Sequence, residues 1–301
     1  MGGTGTGGPD GLVVVDKPAG FTSHDVVAVV RGIARTRRVG HAGTLDPMAT
    51  GVLLLGVGRA TRLLGHLALT EKEYTGTVRL GQATVTDDAE GEVTASPGAA
   101  GLGRGALDTA VAGLTGALLQ VPARVSAVKI DGRRAYKRVR AGEDVELPAR
   151  PVTVHAFAVD AVRETAAADG TPVTDLDVRV VCSSGTYVRA LARDLGAALG
   201  TAGHLTALRR TRVGPYGLDA ARTLDALRAE WALLPLDEAA ALAFPRWDVD
   251  EDRARQLGHG ARVPTPPELP PGPVAVFGPE GRFVALIEAA GERSRSLAVF
   301  A

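Results

Sequence analysis

One short stretch, Gly40-His41-Ala42-Gly43-Thr44-Leu45-Asp46-Pro47-Met48-Ala49-Thr50-Gly51, sets the tightest constraint on this chain. Glycine and proline at this density specify a sharply turning loop with unusual backbone angles. The loop runs straight into the apolar Val52-Leu53-Leu54-Leu55, which reads as a buried strand. Loops that lead into rigid strands are where scaffolds display functional side chains. Asp46 precedes Pro47, which biases it towards an extended conformation and fixes its direction. It is therefore the leading candidate for a reactive group.

At 301 residues and 45% hydrophobic, the chain can build one large core and a small second domain. Basic and acidic side chains number 34 each, so net charge lends no support to nucleic-acid binding, and only local clustering could. A lone cysteine, Cys182, excludes an intramolecular disulfide and fits a reducing cytoplasm. No apolar run approaches the roughly 20 residues of a bilayer span, so no membrane association is expected. Residues 1–10 are Gly/Thr-rich and read as a disordered tail rather than a phosphate loop, because no strand precedes them and no Gly-Lys-Ser/Thr follows.

Along the chain, Leu12–Val15 reads as a strand ending in the turn Asp16–Gly20. Ser23 is placed to cap a helix carrying Val26, Val30 and Ile33. Tyr74–Leu80 alternates as a half-buried strand with Tyr74, Gly76, Val78 and Leu80 on one face. Residues 86–105 read as loop and Ala106–Leu119 as helix. Thr153–Val159 and Val173–Cys182 read as strands, followed by a helix bearing Val188, Leu191 and Leu195. Tyr187 and Arg189 fall in its first turn, where an arginine opposes the helix dipole and calls for an acidic partner, Asp46 being the obvious one. Short strands from Val274 onward form a small β-rich appendage beginning near residue 248.

Three basic clusters stand out from the neutral whole. Arg31, Arg35, Arg37 and Arg38 lie in a stretch without acids; the alternative to RNA contact is a solvated helix end. Arg209, Arg210 and Arg212 follow Leu208. The longest cluster, within residues 124–150, includes Lys129, Arg133, Lys137 and Tyr136, with only Asp131 among them before Glu143. Basic residues interleaved with an aromatic and a turn suit a loop that tracks a phosphate backbone, against the alternative of a solvated surface hairpin. The six histidines show no metal-ligand spacing. Cys182, ending an apolar strand, reads as a buried hydrophobe. What remains is one carboxylate in a rigid loop, a nucleophile that needs no cofactor or metal and that an arginine neighbour would keep ionised.

Asp16-Lys17-Pro18-Ala19-Gly20 with Ser23, and Gly40–Pro47 with Gly51, closely resemble the TruB family of bacterial tRNA pseudouridine synthases. Three later segments match in order: Lys72-Glu73-Tyr74, Cys182-Ser183-Ser184-Gly185-Thr186-Tyr187-Val188-Arg189, and Leu208-Arg209-Arg210. Pro122-Ala123 and Val125 depart from the Pro-Pro and aromatic that many relatives carry. The resemblance implies an α+β fold, a mixed, mostly antiparallel sheet flanked by helices. It further implies a catalytic domain over 11–247 with a basic insertion at 124–150, and a PUA-like RNA-binding domain over 248–301. It also implies the isomerisation of the T-loop uridine of tRNA, position 55 in tRNA numbering, without a cofactor. On this resemblance Asp46 is the nucleophile, Tyr74 stacks on the flipped uracil, and Arg189 pairs with Asp46. Tyr187 and Leu208 line the base pocket, His41 enters the T-loop, and Lys17 supports the floor of the site. Arg38, Arg209 and Arg210, with Lys129, Arg133 and Lys137 of the insertion, contact the tRNA. A cytoplasmic monomer without an obligate protein partner is expected, and the rival class is a tRNA-binding module with vestigial catalysis.

Overall fold

A computed structural model of the chain describes residues 10–123, 129–130, 133–134 and 148–300. In chain order the main elements begin with β1 (Gly11–Lys17), α1 (Ser23–Ala34), β2 (Val39–Ala42), β3 (Thr50–Val57) and β4 (Lys72–Leu80). Next come α2 (Arg104–Gly113), β5 (Gly116–Gln120), β6 (Arg150–Ala166), β7 (Pro172–Cys182), α3 (Val188–Ala198) and β8 (Gly203–Val213). The remainder is α4 (Leu224–Ala229), α5 (Leu236–Ala243), β9 (Arg246–Asp248), α6 (Glu251–Gly258), β10 (Val274–Phe277), β11 (Phe283–Ala290) and β12 (Arg293–Val299). No helix among the described residues is long and apolar enough to cross a membrane.

The chain divides into two compact units, and the boundary falls inside the opening loop. Residues up to Asp46, with Gly51–Leu69 and Val213 onward, form the first; Pro47–Thr50 and Thr70–Arg212 form the second.

In the first unit β3 is flanked by antiparallel β1 and β2, with Lys17 opposite Gly51 and His41 opposite Leu55. Val52–Leu55 are fully buried, which explains an apolar run where a one-sided strand would alternate. β9–β12 form a four-stranded sheet whose two faces enter different cores. One face, with Val274, Val276 and Ile287, packs with Trp247 and with Ala254 and Leu257 of α6. The other gives Ala275, Phe277, Phe283, Leu286 and Phe300 to a core shared with Leu12, Leu54 and Ala240. Arg59 donates to the carbonyl of Phe300 and Arg62 to that of Val299, so the end of this sheet is tied to the turn after β3. The expected boundary at residue 248 therefore falls inside one compact unit.

The second unit is built on strands in the order β8-β4-β7-β6-β5. β4–β7, β7–β6 and β6–β5 all pair antiparallel. Opposite charges face each other across it: Arg79 lies opposite Asp175 and donates to both its carboxylate oxygens at 2.8 Å. Asp177 similarly takes Arg163 and, at 2.9 Å, the Thr77 hydroxyl. Such cross-strand pairs stabilise a sheet face and neutralise its cations locally.

Two expectations need correction. The helix expected over Ala106–Leu119 stops at Gly113, and Gly116–Gln120 is strand β5, held by pairing with Arg150–Val154 of β6. α1 is capped by Thr22, not Ser23. The Thr22 hydroxyl accepts from the Asp25 N–H while the Asp25 carboxylate accepts from the Thr22 N–H, a reciprocal capping box. Residues 1–9, Tyr136 and Lys137 lie outside the described residues.

Candidate active site

Ser23 is released from capping to do something else. Its side chain, 1% exposed, meets Leu45 of the loop on both backbone groups. The Leu45 N–H donates to Ser23 Oγ at 2.9 Å and the Ser23 hydroxyl donates to the Leu45 carbonyl at 3.2 Å. Both polar groups of the residue before Asp46 are thus satisfied by one hydroxyl on the first turn of α1. Gly43 (φ 75°) and Gly51 (φ 97°) bracket the segment in left-handed conformations open to glycine. Asp46 is held half-buried between these fixed points.

Lys17 supports the neighbouring turn. It is fully buried, and its Nζ donates to the carbonyls of Phe21 (2.6 Å) and Pro18 (3.0 Å). This cross-brace fixes the chain between β1 and the cap of α1. His41, on β2, meets His24 of α1 edge to face, ring centroids 5.4 Å apart. Arg38 is exposed immediately before β2.

In the second unit Tyr74 lies on β4 opposite Val180 and is 7% exposed. Gly76 follows on the same face, and a Cβ there would stand 2.6 Å from the Ala207 carbonyl oxygen and 3.4 Å from Leu208 Cδ1. The glycine thus lets β8 approach closely enough for Leu208 to lie over the Tyr74 face of β4. Arg209 donates to the Thr50 hydroxyl at 3.3 Å.

Arg210 corrects an expectation. It is 1% exposed, one of the largest fully buried side chains, and so is a core cation rather than a surface contact for phosphate. Burial, and then repulsion from Arg210, depress the Lys72 ammonium to about 8, with Cys182 opposing them. Cys182 is a free, buried thiol, pushed up to about 11 chiefly by burial, which agrees with its reading as a hydrophobe. Arg212 donates to Glu71 at 2.7 Å. Lys129 and Arg133 fall in two short strands that pair antiparallel, Lys129–Ile130 with Arg133–Arg134.

Arg189, 7% exposed in the first turn of α3, needs an acidic partner, and its own unit supplies one that sequence reasoning did not name. Its Nη1 lies 3.3 Å from Asp88 Oδ2, a carboxylate 2% exposed, and donates to the Thr86 carbonyl at 2.9 Å. Asp88 is itself anchored: Oδ1 accepts from the Glu90 N–H at 3.0 Å and from the Thr86 hydroxyl. One turn further along α3, Arg193 pairs with Asp87 at 3.1 Å. Doubly satisfied and buried, the Arg189 guanidinium has a fixed direction. The only sequence signal was two adjacent acids in the turn Thr84–Gly91, unremarkable until the fold brings them to α3.

The described architecture is that of the pseudouridine synthases. It aligns over 97% of this chain, at TM-score 0.73 and 25% identity, with 84% of a chain in the crystal structure of a Cbf5-Nop10-Gar1 complex. At 0.72 and 24% it aligns with an H/ACA RNP bound to a substrate RNA containing 2'-deoxyuridine. Residues 31–188 match the N-terminal domain of the TruB family pseudouridylate synthases, 189–242 the tRNA pseudouridylate synthase B C-terminal domain, and 244–301 the tRNA pseudouridine synthase II C-terminal region. Relatives named tRNA pseudouridine synthase B are 70% identical in Streptomyces griseus subsp. griseus, over 97% of this chain and 98% of the relative. The relative in Thermobifida fusca is 59% identical, over 97% and 99%. The chain belongs to the TruB family of pseudouridylate synthases.

Proposed function

We propose that the chain isomerises the T-loop uridine of tRNA, position 55, to pseudouridine, with Asp46 as nucleophile. Family membership makes it an enzyme, an isomerase that forms pseudouridine in tRNA. The observation that carries the finer assignment is the double hydrogen bond from Ser23 to Leu45, which fixes the backbone next to Asp46. A nucleophile held in its reactive direction before substrate arrives avoids the entropic cost of finding it.

The reaction adds and removes no net atoms: the N-glycosidic bond breaks with help from the Asp46 carboxylate, the uracil turns, its C5 joins the ribose, and the proton lost from C5 is balanced by one gained at the freed N1. Tyr74 stacks on the flipped base, with Tyr187 and Leu208 lining its pocket. Arg189, held by Asp88 and Thr86, is the fixed cation of the catalytic set. Unstacking the base costs a few kcal/mol, and His41 entering the T-loop offsets part of it. The exposed Arg38 and the basic residues of the 124–150 sequence contact phosphates, with the region from residue 248 as a further RNA-contacting surface. The enzyme acts as a cytoplasmic monomer without a cofactor.

The assignment is tested by incubating the chain with unmodified tRNA and mapping pseudouridine along it. Modification confined to the T-loop, and retained on an isolated T-arm hairpin, is expected; modification elsewhere in the tRNA would contradict it.

A further inference from the structure

Gln120 is buried, 3% exposed, and belongs to none of the functional segments so far described. Its amide faces the backbone of Tyr187 and matches it on both sides. The Tyr187 N–H donates to Gln120 Oε1 at 2.7 Å, and Gln120 Nε2 donates to the Tyr187 carbonyl at 3.0 Å. Tyr187 is the N-cap residue of α3, extended (φ −98°, ψ 104°) and without a side-chain cap of its own. A helix start leaves backbone N–H groups without helical partners, so a distant glutamine here supplies what the local sequence lacks.

Two features make this more than a satisfied core amide. The clamped residue lies two positions before Arg189, so the clamp sets where the first turn of α3 begins and hence where the guanidinium meets Asp88 and Thr86. The same junction is stapled again one residue on, where Arg193 of α3 donates to the Val121 carbonyl at 2.8 Å. Gln120 also pairs with Arg150, so this rung is where the chain leaves for, and returns from, residues 121–149.

We propose that Gln120 is a positioning residue for the isomerisation, fixing Tyr187 and Arg189 by holding both backbone groups of Tyr187. This deepens the function proposed above and rests on it. A glutamine is required because only a neutral amide offers one acceptor and one donor at this reach. Alanine removes both bonds. A glutamate carboxylate keeps the acceptor but turns a second oxygen lone pair against the Tyr187 carbonyl.

The test uses the full chain and unmodified tRNA, comparing Gln120→Ala and Gln120→Glu with the unsubstituted protein. The measurements are the single-turnover rate at saturating enzyme, the tRNA dissociation constant and the melting temperature. The expected result is a rate loss of about 10- to 100-fold, the scale of a small misplacement at a reacting centre. The dissociation constant should stay within about twofold, because the basic surfaces, not this clamp, hold the RNA. If Gln120→Ala fails to fold, Gln120→Glu, which preserves volume, decides. Wild-type rates in a folded variant overturn the proposal, as does a loss confined to tRNA affinity or to melting temperature. Should the unsubstituted chain form no pseudouridine in tRNA, both the function and this inference fall; variants as fast as an active parent remove this inference alone.

Discussion

Ser23 shows how one hydroxyl can hold a loop's backbone in place. Sequence placed it correctly at a helix start but assigned it the cap, because serine and threonine are interchangeable there. The structure gives the cap to Thr22 and turns Ser23 to Leu45, a contact across 22 residues that no local pattern encodes. Ser23→Ala would leave a buried N–H and C=O unsatisfied, each costing about 1–3 kcal/mol. Chemical denaturation should show a loss of that order, together with a slower single-turnover rate; an unaltered rate would remove the loop-pinning role. Lys72 makes a pH prediction. Its folded value near 8 lies below the ordinary 10.5, so between these limits the folded chain binds fewer protons than the unfolded one. The buried ammonium counts against folding below about pH 8, and the penalty lifts as pH rises through that window. The stability of the unsubstituted chain minus that of Lys72→Met should therefore increase from pH 8 to 10, by thermal melts; a flat or falling difference would contradict it.

At the scale of elements, β4 and β8 depend on a glycine. Alanine at 76 would place a Cβ 2.6 Å from the Ala207 carbonyl oxygen, a backbone atom that cannot rotate away. Gly76→Ala should cost about 1–3 kcal/mol, the usual toll of overpacking, and slow the reaction by displacing Leu208 from the Tyr74 face. An unchanged melting temperature would refute the close approach. Alternation alone made β4 legible, including the face shared by Tyr74 and Gly76. β5 was not legible, because Gly116-Ala117-Leu118-Leu119-Gln120 is a short apolar run that suits helix or strand equally, and only pairing with β6 decides it. Just beyond an expected helix Gln120 looked idle, whereas as the last residue of a strand it reaches Tyr187.

At the scale of the whole molecule, the sharp loop before β3 was legible from its glycines and proline, and the clusters of basic residues stand out in the sequence despite a net charge of zero. What escaped were partners made by folding. Asp88 and Arg189 are 101 positions apart, and neither half of that pair announces the other. Arg210 escaped in the opposite direction: the sequence shows three arginines in a row of four, and only the fold distinguishes the buried one from its neighbours. The C-terminal strands read as a separate appendage because their apolar runs are short and bounded by turns. Their second buried face, which joins the core of β1 and β3, is visible only in three dimensions. The claim on which the rest depends is that the Asp46 carboxylate performs the chemistry while the basic surfaces hold the RNA. The direct measurement is Asp46→Asn, assayed for pseudouridine on unmodified tRNA beside a binding titration. The expected result is no detectable pseudouridine with tRNA affinity close to that of the unsubstituted chain; full activity in Asp46→Asn would contradict it.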